Sequence, residues 1–220
     1  MIEAVFIVTA IPLVFLLAFM RKEQRVFVYF LLWGLVAAML TYYVYVALSV
    51  AGIRLEYSSI GFGPLLEEFL KALPLIALFI VAGKRYDRHI LPLAMASGIG
   101  FSILENYLYL DSLATGGFSV LLAAATRALT TAVMHGCTTA IVGYGIFLVG
   151  NMAKQALPAM LLGLYTTAVT IHAIYNLLVI YSGWGKLLAV LIPLVLILGL
   201  LLLFYGDELE AKPDEKACGS

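Results

Sequence analysis

Apolar stretches follow one another almost without interruption, at residues 2–20, 26–51, 64–82, 90–110, 118–149, 157–181 and 187–205. Each approaches or exceeds the roughly 20 residues that a helix needs to cross the hydrocarbon core of a bilayer. A chain of 220 residues that is 64% hydrophobic and 12% charged cannot hide so much apolar surface inside a soluble domain. The pattern predicts an all-α polytopic transmembrane helical bundle of about seven spans over residues 1–205, joined by short loops, with the lipid bilayer as its solvent.

The first run has no basic residue before it and passes from Met20 into Arg21 and Lys22 without a small-residue cleavage site, so it reads as a retained span rather than a signal peptide. Lys and Arg gather in alternate connections: Arg21, Lys22 and Arg25, then Lys84, Arg85 and Arg88, then Lys154, then Lys212 and Lys216. The remaining loops offer only Arg54 and Lys186. This bias predicts an integral membrane protein with its N-terminus outside and its C-terminus cytoplasmic, most simply in a prokaryotic plasma membrane. Residues 206–220, with Asp207, Glu208, Glu210, Asp214 and Glu215, read as a short acidic, solvated tail. There is no basic stripe to suggest a nucleic-acid partner. Cys137 lies in a span and Cys218 in the tail, so no disulfide between them is expected.

Against this background the ionisable residues inside the runs stand out: Glu67, Glu68, Lys71, Glu105, Arg127, His135 and His172. Charge at membrane depth is costly, and residues kept there mark function by default. With the predicted topology, the third run enters from outside near Pro64, which places Glu67 and Glu68 about 5 Å below its start. Glu105 lies about 8 Å from the outer end of the fourth run, and Asn176 and His172 about 8 and 14 Å from that of the sixth. The fifth run exceeds the length of one span. Its first part, residues 118–125, is free either to lie along the outer surface or to fill a cavity, and either placement brings Arg127 and His135 to the same outer layer.

Spacing supports convergence. Lys71 is four residues from Glu67 and three from Glu68, so its ammonium can reach either carboxylate. Phe101 and Glu105 share a helix face, as do His172 and Asn176. Pro74 removes the backbone bond to the Leu70 carbonyl and predicts a disturbance beside Lys71. Ala94, Ala96, Ser97, Gly98 and Gly100 permit close approach of the fourth run to a neighbour. Taken singly, each polar residue has an ordinary structural use: a packed histidine, a buried Glu68–Lys71 ion pair, a snorkelling Arg127, an Asn176 that cross-links helices. Three carboxylates and two histidines at one depth are too costly for such uses alone.

Two chemistries suit such a group. Water polarised between Glu67 or Glu68 and an imidazole can attack an amide carbonyl, with His172 and Asn176 donating to the developing oxyanion. Alternatively Glu67, Glu105, His135 and His172 are candidate ligands for zinc, whose bound water ionises near neutral pH. The residues leave metal-free and metal-assisted hydrolysis both open. Neither an H-E-x-x-H zinc helix nor a G-x-S-x-G elbow is present.

Glu67 to Lys71 form an E-E-x-x-K motif, Phe101 to Glu105 an F-x-x-x-E motif, His135 follows on the next run, and His172 to Asn176 form H-x-x-x-N. In this order on successive helices they resemble the PrsW family of intramembrane proteases, relatives of the CAAX prenyl endopeptidases and bacteriocin-processing enzymes. The resemblance implies a membrane-embedded, glutamic-type or metal-assisted endopeptidase. It assigns Glu67 and Glu68 as catalytic carboxylates and His135 and His172 as water-binding or oxyanion groups, with Glu105 and Asn176 in the same site and Lys71, Arg127 and Phe101 in support. It also implies a membrane-anchored protein substrate cut near the extracytoplasmic side, as in the first cleavage of an anti-sigma factor in a signalling cascade. The CAAX pattern would place Arg and His where Lys71 and Glu105 stand, and would need a cytosol-facing site, so a prenyl-protein endopeptidase is the second reading. A proton or cation transporter using the same carboxylates and histidines is a third. It predicts polar groups across the full membrane thickness.

Overall fold

The computed structural model describes residues 20–82, 89–112, 118–151, 157–181 and 183–210, together with Ile11. Among these residues are six helices and no strand: α1 (Lys22–Val50), α2 (Phe62–Ala82), α3 (Ile90–Ser112), α4 (Phe118–Asn151), α5 (Leu157–Ile180) and α6 (Trp184–Glu210). They match the second to seventh apolar runs. The expected first span, residues 2–20, lies almost entirely outside the described residues, as do the basic residues Lys84, Arg85, Arg88 and Lys154. Helix α6 continues to Glu210, into the stretch expected to be tail. A helix satisfies its own backbone wherever it runs, so the end of the apolar sequence does not oblige it to stop. Residues 211–220, including Cys218, are outside the described part.

Among the described residues, three helices are apolar and long enough to cross a membrane by length and composition: Gln24–Val50, Pro158–Ile180 and Trp184–Leu202. Helix α2 stands outside that set only because it carries three charged residues, Glu67, Glu68 and Lys71, and its 21 residues are long enough to cross. The outward surface is apolar, with Ile80, Val81, Leu129, Leu162, Val195 and Leu202 all exposed. In water such a surface would be a severe liability; in lipid it is the expected exterior of an integral membrane protein.

Local sequence explains the helix ends. Helix α1 closes in a Schellman motif, with Ile53 N–H donating to Leu48 O at 2.9 Å and Gly52 N–H to Ser49 O at 3.0 Å. Gly52 takes φ +74°, which costs glycine nothing. Helix α2 begins two residues before Pro64, whose missing N–H falls in the first turn where no partner is needed. Further along, Pro74 frees the Leu70 carbonyl, and the indole N–H of Trp33 on α1 donates to it at 2.8 Å. The disturbance expected at Pro74 is therefore met by a cross-helix bond.

Glu68, Lys71, Ala72 and Leu75 are all buried and recur at helical spacing, so the inward stripe of α2 is headed by an ion pair. On α4 the corresponding stripe is Thr131, Met134, His135, Thr138, Thr139 and Val142, and on α5 it is Ala168, His172 and Tyr175. Helix α3 approaches both neighbours through its small residues. A Cβ on Gly100 would fall on the Leu31 carbonyl of α1, and one on Gly98 on the His135 carbonyl of α4. Beyond the polar layer, buried Phe30, Leu75, Ile90, Leu93, Ala94 and Ile146 pack in one apolar cluster. Among the described residues, the buried ionisable side chains Glu68, Lys71, His135 and His172 lie outside that cluster.

Candidate active site

Glu68 is the hub. Its Oε1 accepts from Lys71 Nζ at 2.7 Å, from His172 Nδ1 at 2.8 Å and from Thr138 Oγ1 at 3.0 Å, and all four side chains are buried. Three helices, α2, α4 and α5, are therefore fastened to one carboxylate oxygen. Thr138 was not singled out from sequence, although it stands one turn from His135 on the same face of α4.

Lys71 also touches His135 Nδ1 at 2.8 Å. An ammonium only donates, so this nitrogen accepts, and the ring hydrogen sits on Nε2, which donates to Glu105 Oε2 at 2.8 Å. Glu105 in turn lies 3.5 Å from Arg127 Nη2, while Arg127 Nε donates to Asn106 Oδ1 at 2.9 Å and the guanidinium stacks 4.1 Å from the Tyr109 ring. Arg127 is thus a member of the polar layer as well as a neighbour of interface aromatics. Phe101 packs its ring 5.1 Å from both Lys71 Nζ and the His135 ring. That contact shields the ammonium from competing water and keeps it on its two acceptors.

The two remaining acceptors face each other. His172 donates its Nδ1 hydrogen to Glu68, so in the neutral ring Nε2 carries a lone pair. That lone pair lies 3.6 Å from Glu67 Oε2. Glu67 Oε2, Glu68 Oε2 and His172 Nε2 are all buried without a hydrogen-bond partner. Unpartnered buried acceptors are expensive, and two facing lone pairs require a cation or hydrogens between them. Glu67 and Glu68 are adjacent but inequivalent: the Glu67 side chain keeps 12% exposure, whereas that of Glu68 is fully enclosed.

Glu67, His135 and His172 offer donor atoms that all lie within 4.8 Å of one another. For zinc, ligands about 2 Å from a tetrahedral centre stand about 3.4 Å apart, close to the Glu67–His172 separation. The imidazole of His172, backed by a carboxylate on its other nitrogen, has the arrangement common to metal-ligating histidines. His135 is different, since both of its nitrogens already have partners. Glu105, the fourth metal candidate from sequence, is engaged by His135 and Arg127.

A family model described as PrsW family intramembrane metalloprotease matches residues 8–203. The chain belongs to the PrsW family. No curated protein and no solved structure matches it. This PrsW chain is therefore a membrane-embedded peptidase, and its polar layer, built from the E-E-x-x-K, F-x-x-x-E and H-x-x-x-N motifs with His135, is the place to seek its chemistry.

Asn176 is the sequence-predicted site residue that stands apart from the acceptor cluster. Its Nδ2 donates to the Ser59 carbonyl at 2.8 Å, tying α5 to the connection between α1 and α2. That connection includes Tyr57 at φ +53°, unusual for a residue with a side chain. It reaches Glu67 through Gly63, where an added Cβ would meet the Ser58 carbonyl and Tyr45 hydroxyl at 2.8 Å and Glu67 Oε1 at 3.3 Å. A second tie to the start of α2 runs from the Tyr165 hydroxyl of α5 to the Leu65 carbonyl at 2.6 Å. Asn176→Ala is expected to speed backbone hydrogen exchange over residues 56–61 while lowering global stability by only about 1 kcal/mol. Exchange measured by mass spectrometry checks both the location and the size of the effect.

Proposed function

We propose that this protein hydrolyses a peptide bond of a membrane-anchored protein near the outer face of a prokaryotic plasma membrane. In this reading one bundle, residues 1–205, carries the site, the N-terminus is outside and the acidic tail is cytoplasmic. The observation that carries the proposal is the buried pair of facing acceptors, Glu67 Oε2 and His172 Nε2, 3.6 Å apart. An arrangement that demands a cation or hydrogens between two acceptors is suited to holding a reactive water. The apolar core beyond this layer favours a one-sided pocket over a proton or cation path through the described helices.

Glu67 and His172 would hold zinc, and His135 would join them only by giving up its bond to Lys71 or to Glu105. Bound there, zinc would supply Lewis acidity and activate water near neutral pH. Glu68 orients His172 by accepting from Nδ1, and Lys71 and Thr138 hold Glu68 in place. The engagement of both His135 nitrogens favours a second, metal-free form of the same reaction. There, water beside the facing acceptors donates one hydrogen to each and attacks the amide carbonyl carbon through an oxygen lone pair, its proton passing to Glu67 Oε2; Glu67 then returns that proton to the amide nitrogen as the C–N bond breaks. In both forms the substrate is a single-span protein, and first cleavage of an anti-sigma factor is the role the family suggests.

Stripping divalent metal from the reconstituted chain is expected to abolish cleavage of a single-span reporter, with zinc restoring it. Elemental analysis should show metal in the native chain and far less in His172→Ala. Undiminished cleavage by a chain shown to be metal-free would establish the Glu67-activated water instead.

A further inference from the structure

A cavity of about 460 Å³ opens between α3, α4, α5 and α6. It is amphiphilic. Arg127, Lys186 and the Thr126 hydroxyl form a cationic, hydrogen-bonding part, and Leu122, Val179 and Val190 an apolar part. Among the described residues, no Asp or Glu lines it. Lys186 is exposed and has no carboxylate partner among the described residues. Arg127 lends one edge to Glu105 at 3.5 Å and its Nε to Asn106, out of the five N–H donors that a guanidinium carries.

Depth is marked independently. Where α5 gives way to α6, just before Lys186, Tyr181 is 62% exposed and Trp184, the first residue of α6, is 81% exposed. Trp and Tyr are enriched at headgroup level on membrane proteins. A turn at that level would set the cationic part of the cavity at the depth of lipid phosphates and the apolar part at the start of an acyl chain.

We propose that this cavity binds one anionic phospholipid, its phosphate between Arg127 and Lys186 and the first part of a chain against Leu122, Val179 and Val190. Charge complementarity and amphiphilicity both select this occupant over a wholly polar anion. The site is separate from the Glu67–His172 pair but linked to it, because Arg127 and His135 share Glu105. Binding itself does not depend on the chain being a protease.

The test uses the full chain in phosphatidylcholine nanodiscs with a minor fraction of phosphatidylglycerol, and native mass spectrometry to read which lipid stays bound. The native chain should retain phosphatidylglycerol in preference to phosphatidylcholine. Lys186→Gln should reduce that preference about fivefold, the effect of one cation at a membrane surface, and Lys186→Arg should preserve it. Lys186 is exposed, so neither change should disturb folding, which circular dichroism would verify. Equal retention of the two lipids by the native chain would overturn the proposal. So would an unchanged preference in both Lys186→Gln and Arg127→Gln, or displacement of the lipid by inorganic phosphate alone.

Discussion

Replacing Lys71 by methionine is expected to cost about 3–5 kcal/mol of folding stability, the usual penalty for stranding one member of a buried ion pair. Lys71 Nζ is fully buried, 2.7 Å from Glu68 Oε1 and 2.8 Å from His135 Nδ1, so its loss leaves a carboxylate enclosed with only His172 and Thr138 as donors. Methionine fills similar volume, which separates the loss of charge from the loss of packing. Adding Glu68→Gln to Lys71→Met should recover a large part of the penalty, because the stranded charge is then gone. A double-mutant cycle with unfolding followed in mixed micelles reads this coupling, expected to exceed about 1 kcal/mol between residues in direct contact. Additive effects of the two substitutions would show that Lys71 does not act through Glu68.

Glu67→Gln should behave in the opposite way, with a large loss of activity and no loss of stability. The amide can turn its N–H₂ toward His172 Nε2, now 3.6 Å from the carboxylate, and so satisfy a lone pair that the native chain leaves without a partner. The same amide neither takes a proton nor serves as an anionic ligand. Removing a positioned proton acceptor typically lowers a rate by about 10²–10⁴-fold, and losing a metal ligand would be at least as severe. Reporter cleavage per folded molecule, beside a melting curve, checks both halves. A variant that kept its activity, or lost it only through unfolding, would remove Glu67 from the reaction.

The helices were legible because crossing a bilayer sets a length that the apolar runs display directly. Their ends were less so: α2 starts before Pro64 because first-turn donors need no helical partner, and α6 passes the last apolar residue because leaving lipid does not break a helix. In the site, counting residues along each run predicted that Glu67, Glu68, Glu105 and His172 would converge, and the structure links them through Lys71 and His135. Counting did not predict the pairs. Lys71 is within reach of Glu67 at four residues and Glu68 at three, and only the inward rotation of α2 selects Glu68. Whether His172 turns Nδ1 or Nε2 toward Glu68 is likewise set by packing between α4 and α5, not by spacing. Asn176 lies one turn from His172, which suggested a shared site, yet its partner Ser59 is more than a hundred residues away in a connection with no apolar periodicity to read. Arg127 read as a snorkelling residue, and its bonds to Asn106 and Glu105 arise because α3 and α4 pack closely through Gly98.

The most direct test compares newly formed protein termini in membranes of cells that express the native chain or Glu67→Gln, at matched levels of folded protein. If the protein is an intramembrane endopeptidase with its chemistry in the outer layer, new termini should appear only with the native chain. They should cluster within about two helical turns, roughly 11 Å, of the outer ends of single-span proteins. Identical sets of termini from the two chains, or native-specific cuts confined to cytoplasmic ends of spans, would contradict the account.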